Sequence, residues 1–342
     1  MYTPDNILIR NNVANIKNDV EGTKLYWNST DSEYHFKKNE AIIDSRYTKN
    51  NVVYTYNSLG HRAPELKELT DDFILCMGCS YTEGIGVDDA DTWPAMLASH
   101  SGMATYNLGI GGSSTMIQLI NSNQWIMNKK KYPLPRCVVV QIPEVTRTPR
   151  AILNGRNAQQ NEWPSSIELI GTTPSNNPGQ IRDDEMCVKW KEHRNQFSAE
   201  ATDNDLDWQH TLGDPDISPW FLTSQLMVSL QLMWNAVGVP VLQMTYDDDG
   251  DIIYNPFNVF RITGDICKDF ARDRQHMGID THTNLVEAIW PQIQELLEWT
   301  PGTRQKRDIV RLPYNAFHYT LTQAMAERER LTPNDKSPFV YP

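Results

Sequence analysis

Four short runs that are apolar on both faces constrain this chain most. FILCM at 73–77 stops at Gly78, and ATYNLGIGG at 104–112 ends in glycines. CVVVQI at 137–142 stops at Pro143, and VPVLQMT at 239–245 leads to Asp247-Asp248-Asp249-Gly250. A strand with one wet face alternates apolar and polar residues. A strand covered on both faces has no such need, and runs like these suit the centre of a parallel sheet. Helical spacing fills the gaps, over Thr92–His100, Thr115–Lys130 and Trp220–Ala236. It recurs over Thr283–Trp299, where Leu285, Ile289, Ile293 and Leu297 fall four apart. Strands alternating with helices predict an α/β fold with helices on both faces of a mostly parallel sheet. In such sheets the active site lies beyond the C-terminal ends of the strands.

The rest of the chain divides around that pattern. Residues 1–70 are polar and carry Tyr, Trp and Asn. The alternation Val52-Val53-Tyr54-Thr55-Tyr56 gives this N-terminal extension β character. Residues 71–300 form the α/β domain, interrupted at 144–218 by a stretch rich in Asn, Pro, Asp, Glu and Trp without a strong periodic element. Irregular chain of that length inside a compact domain is usually functional or a lid. Residues 301–342 form a tail with one helix near 315–330 and a Pro-rich end.

Composition removes several classes of function. The formal charge is −12, and the basic runs at Lys129-Lys130-Lys131 and Arg304–Arg311 are short, so no nucleic-acid partner is expected. The five cysteines are odd in number and show no framework spacing, which fits a reduced protein. Cys76 and Cys79 lack the second pair a zinc site needs. DDDGD at 247–251 starts like a calcium loop but has Asn258 where the closing Glu belongs, so it reads as a turn. No metal and no cofactor is expected. The first twenty residues show no signal-peptide pattern, and the apolar stretch 219–245 is too interrupted to span a membrane. The expectation is a soluble protein without a membrane partner, cytoplasmic or part of a virion or surface assembly.

Three places could carry chemistry. Ser80 follows the first apolar run directly, in GCSYTEG, where a strand turns into a helix and a hydroxyl projects over the sheet edge. The plainer reading of such a serine is a helix N-cap. Asp273 and His276, in ARDRQHMG, are spaced so that the carboxylate can orient the imidazole and leave the other ring nitrogen as a base. The plainer reading there is a pair of surface caps. In YNLGIGGSS, Gly112 can offer an open backbone N–H and Asn107 can brace the loop, against a simple connecting turn.

GCSYTEG, NLGIGG and DRQH, in that order and each after a suitable element, resemble the SGNH/GDSL hydrolase family over residues 70–300. TWPAML at 92–97 resembles that family's first-helix region. The resemblance implies a three-layer α/β/α sandwich with a flavodoxin-like sheet. It also implies ester, thioester or O-acetyl hydrolysis through an acyl-enzyme without metal. Carried over by motif, Ser80 is nucleophile, His276 base and then acid, and Asp273 orients it; the N–H groups of Ser80 and Gly112 form the oxyanion hole. Two departures stand out. Cys79 replaces the usual Asp before the serine, and its side chain is expected to point away from the reacting side. QIPEVTR after the third run lacks the family's Asn, which leaves Thr146 or Arg147 to supply the third donor.

The polar 144–218 stretch, its aromatic residues and the lack of a long apolar lid argue against a lipase; together with what the resemblance implies, the expectation is an esterase acting on an acylated small molecule or carbohydrate. Trp163, Trp190 and Trp208 could serve as sugar platforms or as packing. The alternative is a non-catalytic structural or carbohydrate-binding protein that keeps the fold, for example in a virus particle or surface assembly. Self-association through the N-terminal segment or the tail is compatible with either.

Overall fold

The structure, a computed structural model, describes residues 23–28, 30–143, 148–154, 166–172, 218–246 and 259–298. Strand β1 (Thr23–Leu25) pairs antiparallel with β2 (Tyr54–Tyr56), and helix α1 (Glu33–Asn39) lies between them in sequence. Then β3 (Phe73–Gly78), α2 (Ser80–Glu83), α3 (Trp93–Ser101), β4 (Ala104–Gly109), α4 (Thr115–Met127) and β5 (Cys137–Gln141) follow. A hairpin of β6 (Thr148–Asn154) and β7 (Ser166–Thr172) comes next, then α5 (Ser218–Ala236), β8 (Val241–Tyr246), β9 (Val259–Ile262) and α6 (Ile279–Leu297).

β3, β4, β5, β8 and β9 form one five-stranded sheet in the order β4-β3-β5-β8-β9, every pair parallel. Counted within the sheet that order is 2-1-3-4-5, the flavodoxin-like arrangement, and the strand order reverses between β3 and β5. Successive residues of a strand point to opposite faces. Leu75 and Met77 pack with Trp125 of α4 and with Met227, Leu230 and Trp234 of α5. Ile74 and Cys76 pack with Trp93 and Leu97 of α3 and with Leu285, Ile289 and Ile293 of α6. The result is a three-layer α/β/α sandwich, with an N-terminal β segment and a long insertion.

Four elements differ from the sequence reading. β9 was not anticipated. It is an edge strand with one neighbour, so V-F-R-I needs no continuous apolar run, and Arg261 is exposed. β6 and β7 give regular pairing to part of the stretch read as irregular. Helix α6 starts four residues before Thr283, at Ile279. Its N-cap residue, Gly278, has no side chain to cap with. Asp269 supplies the cap instead, accepting the N–H of Asp280 at 3.2 Å and of Thr281 at 2.9 Å. The turn at 247–251 and the tail from 301 lie outside the described residues. Among the described residues no helix is long and apolar enough to cross a membrane.

His282, in the first turn of α6, is fully buried, and its Nδ1 accepts the N–H of Trp93 at 3.0 Å. Burial pushes its pKa down to about 3, with the Arg62 charge adding to the effect. An unfolded histidine takes up its proton near pH 6.5, so the fold is stabilised above that pH and loses this contribution as pH falls. Between pH 7 and pH 5 the loss from this one group is about 2 kcal/mol. Urea unfolding should show it in the wild type. His282→Gln, which keeps an acceptor and cannot titrate, should lose correspondingly less; equal losses would contradict the assignment.

Candidate active site

β3 ends at Gly78, where the chain doubles back so tightly that a Cβ would sit 2.0 Å from Thr82 Oγ1. Cys79 is the N-cap of α2 and is buried. Ser80 opens α2 at the C-terminal edge of the sheet, beside the β3/β5 reversal. Thr82 Oγ1 donates to Gln141 Oε1 at 2.6 Å, which ties α2 to the end of β5. Gly84, at φ 83°, terminates the helix.

Residues 270–277 form a tight loop from the other side. Phe270 and Met277 bridge antiparallel, Ala271 N–H donates to His276 O at 2.9 Å, and Arg274 takes a left-handed φ of 61°. The two loops meet at Gly86, where a Cβ would lie 2.6 Å from Ala271 Cβ and 3.3 Å from Asp273 Oδ1. Arg272 N–H donates to Gly86 O at 3.0 Å. This close approach brings residues 196 apart together: Ser80 Oγ lies 2.8 Å from His276 Nε2. His276 Nδ1 lies 2.6 Å from Asp273 Oδ2.

The carboxylate only accepts, so Nδ1 carries the proton and Nε2 accepts from the Ser80 hydroxyl. Asp273 Oδ1 also accepts the N–H of Gln275 at 2.9 Å and of His276 at 3.1 Å. Burial alone would push the Asp273 pKa up. Its bond to His276, the bond from Thr30 and the backbone donors outweigh that and hold it below the usual carboxylate range. Asp273 therefore stays ionised in a site where Ser80 is 7% exposed. The Tyr81 ring stands 5.0 Å from the imidazole, centroid to centroid.

The β4–α4 loop borders the serine. A Cβ on Gly111 would be 3.9 Å from that of Ser80. Asn107 Nδ2 donates to Thr82 O at 2.9 Å, and its Oδ1 accepts Gly109 N–H at 2.9 Å. Gly112, at φ 75°, turns the loop, and Ser113 Oγ donates to Gly78 O at 3.0 Å. The N–H groups of Ser80 and Gly112 make no hydrogen bond among the described residues. Thr146 and Arg147 lie outside the described residues, as do Trp163, Trp190 and Trp208.

The sequence reading missed several side chains that build this site. Glu83, 1% exposed, accepts Gly111 N–H through Oε2 at 2.7 Å. Its Oε1 accepts from Tyr56 Oη at 2.8 Å and Asn28 Nδ2 at 3.0 Å. Arg272 is fully buried and forms a bidentate pair with Asp31, at 2.9 and 2.7 Å. It also donates to the carbonyls of Tyr26, Thr48 and Lys49 and stacks over Trp27 at 4.1 Å. Asn28, Asp31 and Tyr56 of the N-terminal segment are thus packed into the wall of the site. A Glu three places after the serine was the one available signal; the remaining pairings are long-range and leave no local pattern.

No protein-family model matches the sequence, and no curated protein does. The chain is similar to solved structures that include an esterase and a putative lipolytic protein of the G-D-S-L family. The esterase EstA from Pseudoalteromonas sp. is 12% identical, with TM-score 0.37, over 67% of this chain and 100% of that one. TesA is 12% identical, with TM-score 0.35, over 66% of this chain and 99% of that one. A carbohydrate acetylesterase family member from Sinorhizobium meliloti is 10% identical, with TM-score 0.34, over 67% and 100%. Likeness at this level carries no information on substrate or mechanism.

Proposed function

We propose that this chain is a serine hydrolase of ester or O-acetyl groups that works through an acyl-enzyme. The observation that carries the reading is the continuous relay from Ser80 Oγ to His276 Nε2 at 2.8 Å and from His276 Nδ1 to Asp273 at 2.6 Å. His276 takes the hydroxyl proton as Ser80 Oγ bonds to the acyl carbon. It then returns that proton to the departing alkoxide as the ester C–O bond breaks. Water, activated by the same imidazole, releases the acid and restores Ser80. Asp273 holds the reactive tautomer and stabilises the imidazolium. The N–H groups of Ser80 and Gly112 receive the oxyanion, and Arg147, with longer reach than Thr146, supplies the third donor. Acylated carbohydrate is the substrate class the polar, Trp-bearing stretch 144–218 favours.

The test is hydrolysis of p-nitrophenyl acetate by the wild type beside Ser80→Ala. Turnover by the first alone supports the reading. Equal rates overturn it in favour of a binding or structural role.

A further inference from the structure

Thr30 belongs to the N-terminal segment, yet its hydroxyl reaches the acid end of the relay. Thr30 Oγ1 donates to Asp273 Oδ2 at 2.5 Å and lies 3.3 Å from His276 Nδ1. With the 2.6 Å contact between Nδ1 and Oδ2, the three groups close a triangle. Oδ1 is already occupied by two backbone N–H groups. Thr30 and His276 therefore share Oδ2, on a side chain that is fully buried.

The hydroxyl arrives in a fixed position. Asn28 and Asp31 exchange backbone hydrogen bonds at 2.9 Å across a tight turn that contains Thr30. Thr30 O is engaged by His35 Nδ1 at 2.9 Å and by Ser32 N–H at 3.1 Å. The next residue, Asp31, grips Arg272, the neighbour of Asp273. Two adjacent residues of the N-terminal segment thus hold two adjacent residues of the acid–base loop.

We infer that Thr30 is a positioning residue for the Asp273–His276 pair, so that the N-terminal segment completes the site; this rests on the serine-hydrolase reading. The hydroxyl can donate to Oδ2 and offer a lone pair to Nδ1–H at once. It fixes the rotamer of Asp273 and tempers the basicity of Oδ2. Without it, one lone pair of a buried carboxylate is left unsatisfied and the carboxylate can turn. A more basic Oδ2 also pulls harder on the Nδ1 proton, which the imidazole must keep while Nε2 works as the base.

The test compares Thr30→Val, close to isosteric, with Thr30→Ser, which keeps the hydroxyl. On p-nitrophenyl acetate, Thr30→Val should lower kcat about tenfold, with KM within about twofold. Thr30→Ser should stay within about threefold of wild type. A Thr30→Val enzyme with wild-type kcat overturns the inference. So does equal impairment of both variants together with a lowered Tm, which marks a structural role only. The low-field proton resonance of His276 Nδ1–H gives a readout independent of turnover. It should move in Thr30→Val and stay in Thr30→Ser; an unmoved resonance in Thr30→Val overturns the contact. Should wild type and Ser80→Ala hydrolyse ester equally, the hydrolase reading fails while the resonance still decides the Thr30 contact.

Discussion

Ser80→Ala and His276→Ala are each expected to lower kcat on an activated ester by about 10⁵–10⁶, and the double variant by hardly more. The reason is mechanical. Oγ is a useful nucleophile only while Nε2 takes its proton, so losing either partner of the 2.8 Å contact removes the same step. In the proposed mechanism, what survives is the electrostatic help of the backbone donors of Ser80 and Gly112. That term alone gives about 10³–10⁴ over water in comparable sites. Steady-state kinetics on the three proteins measures it. Multiplicative losses would mean that Ser80 and His276 act separately, and the relay would then not be the working unit.

Arg272→Met is expected to cost about 3–5 kcal/mol of stability, the usual penalty for stranding one partner of a buried ion pair. Asp31, 1% exposed, would lose its counterion where burial already disfavours its charge, and the carbonyls of Tyr26, Thr48 and Lys49 would lose their shared donor. Removing the charge as well, in Asp31→Leu with Arg272→Met, should recover part of the loss, because an apolar pair of similar volume tolerates the site. Urea unfolding of the single and double variants decides this. A single variant within about 1 kcal/mol of wild type would contradict the account of how the N-terminal segment is anchored.

The central strands were legible because they are covered on both faces, and a run such as FILCM has no other economical use. β9 was not, because at the sheet edge V-F-R-I carries neither a continuous run nor strict alternation. The start of α6 was misplaced because its cap comes from Asp269, outside the helix, and its N-cap position is Gly278, which carries no capping side chain. Ser80 was readable as a short motif after a strand end, and Asp273 and His276 as one just before the final helix. Thr30 was not: it stands 243 residues from Asp273, and nothing local in NSTDS points to a partner so far along the chain. Ser32, two places on, caps α1 by accepting His35 N–H. Residues 1–70 read as an extension, whereas Asp31, Tyr54 and Tyr56 are buried within the polar interior that supports the site. Long-range polar pairing leaves no periodicity, so only the folded chain displays it.

The most direct measurement on the central claim is peptide mapping of the protein after treatment with a fluorophosphonate. Such a reagent bonds to a serine only where a neighbouring base withdraws the hydroxyl proton and donors stabilise the charged oxygen. The account predicts one adduct, on the peptide bearing Ser80, absent from His276→Ala. An intact, folded protein that leaves Ser80 unmodified, or one that takes the adduct with equal speed in His276→Ala, would contradict it.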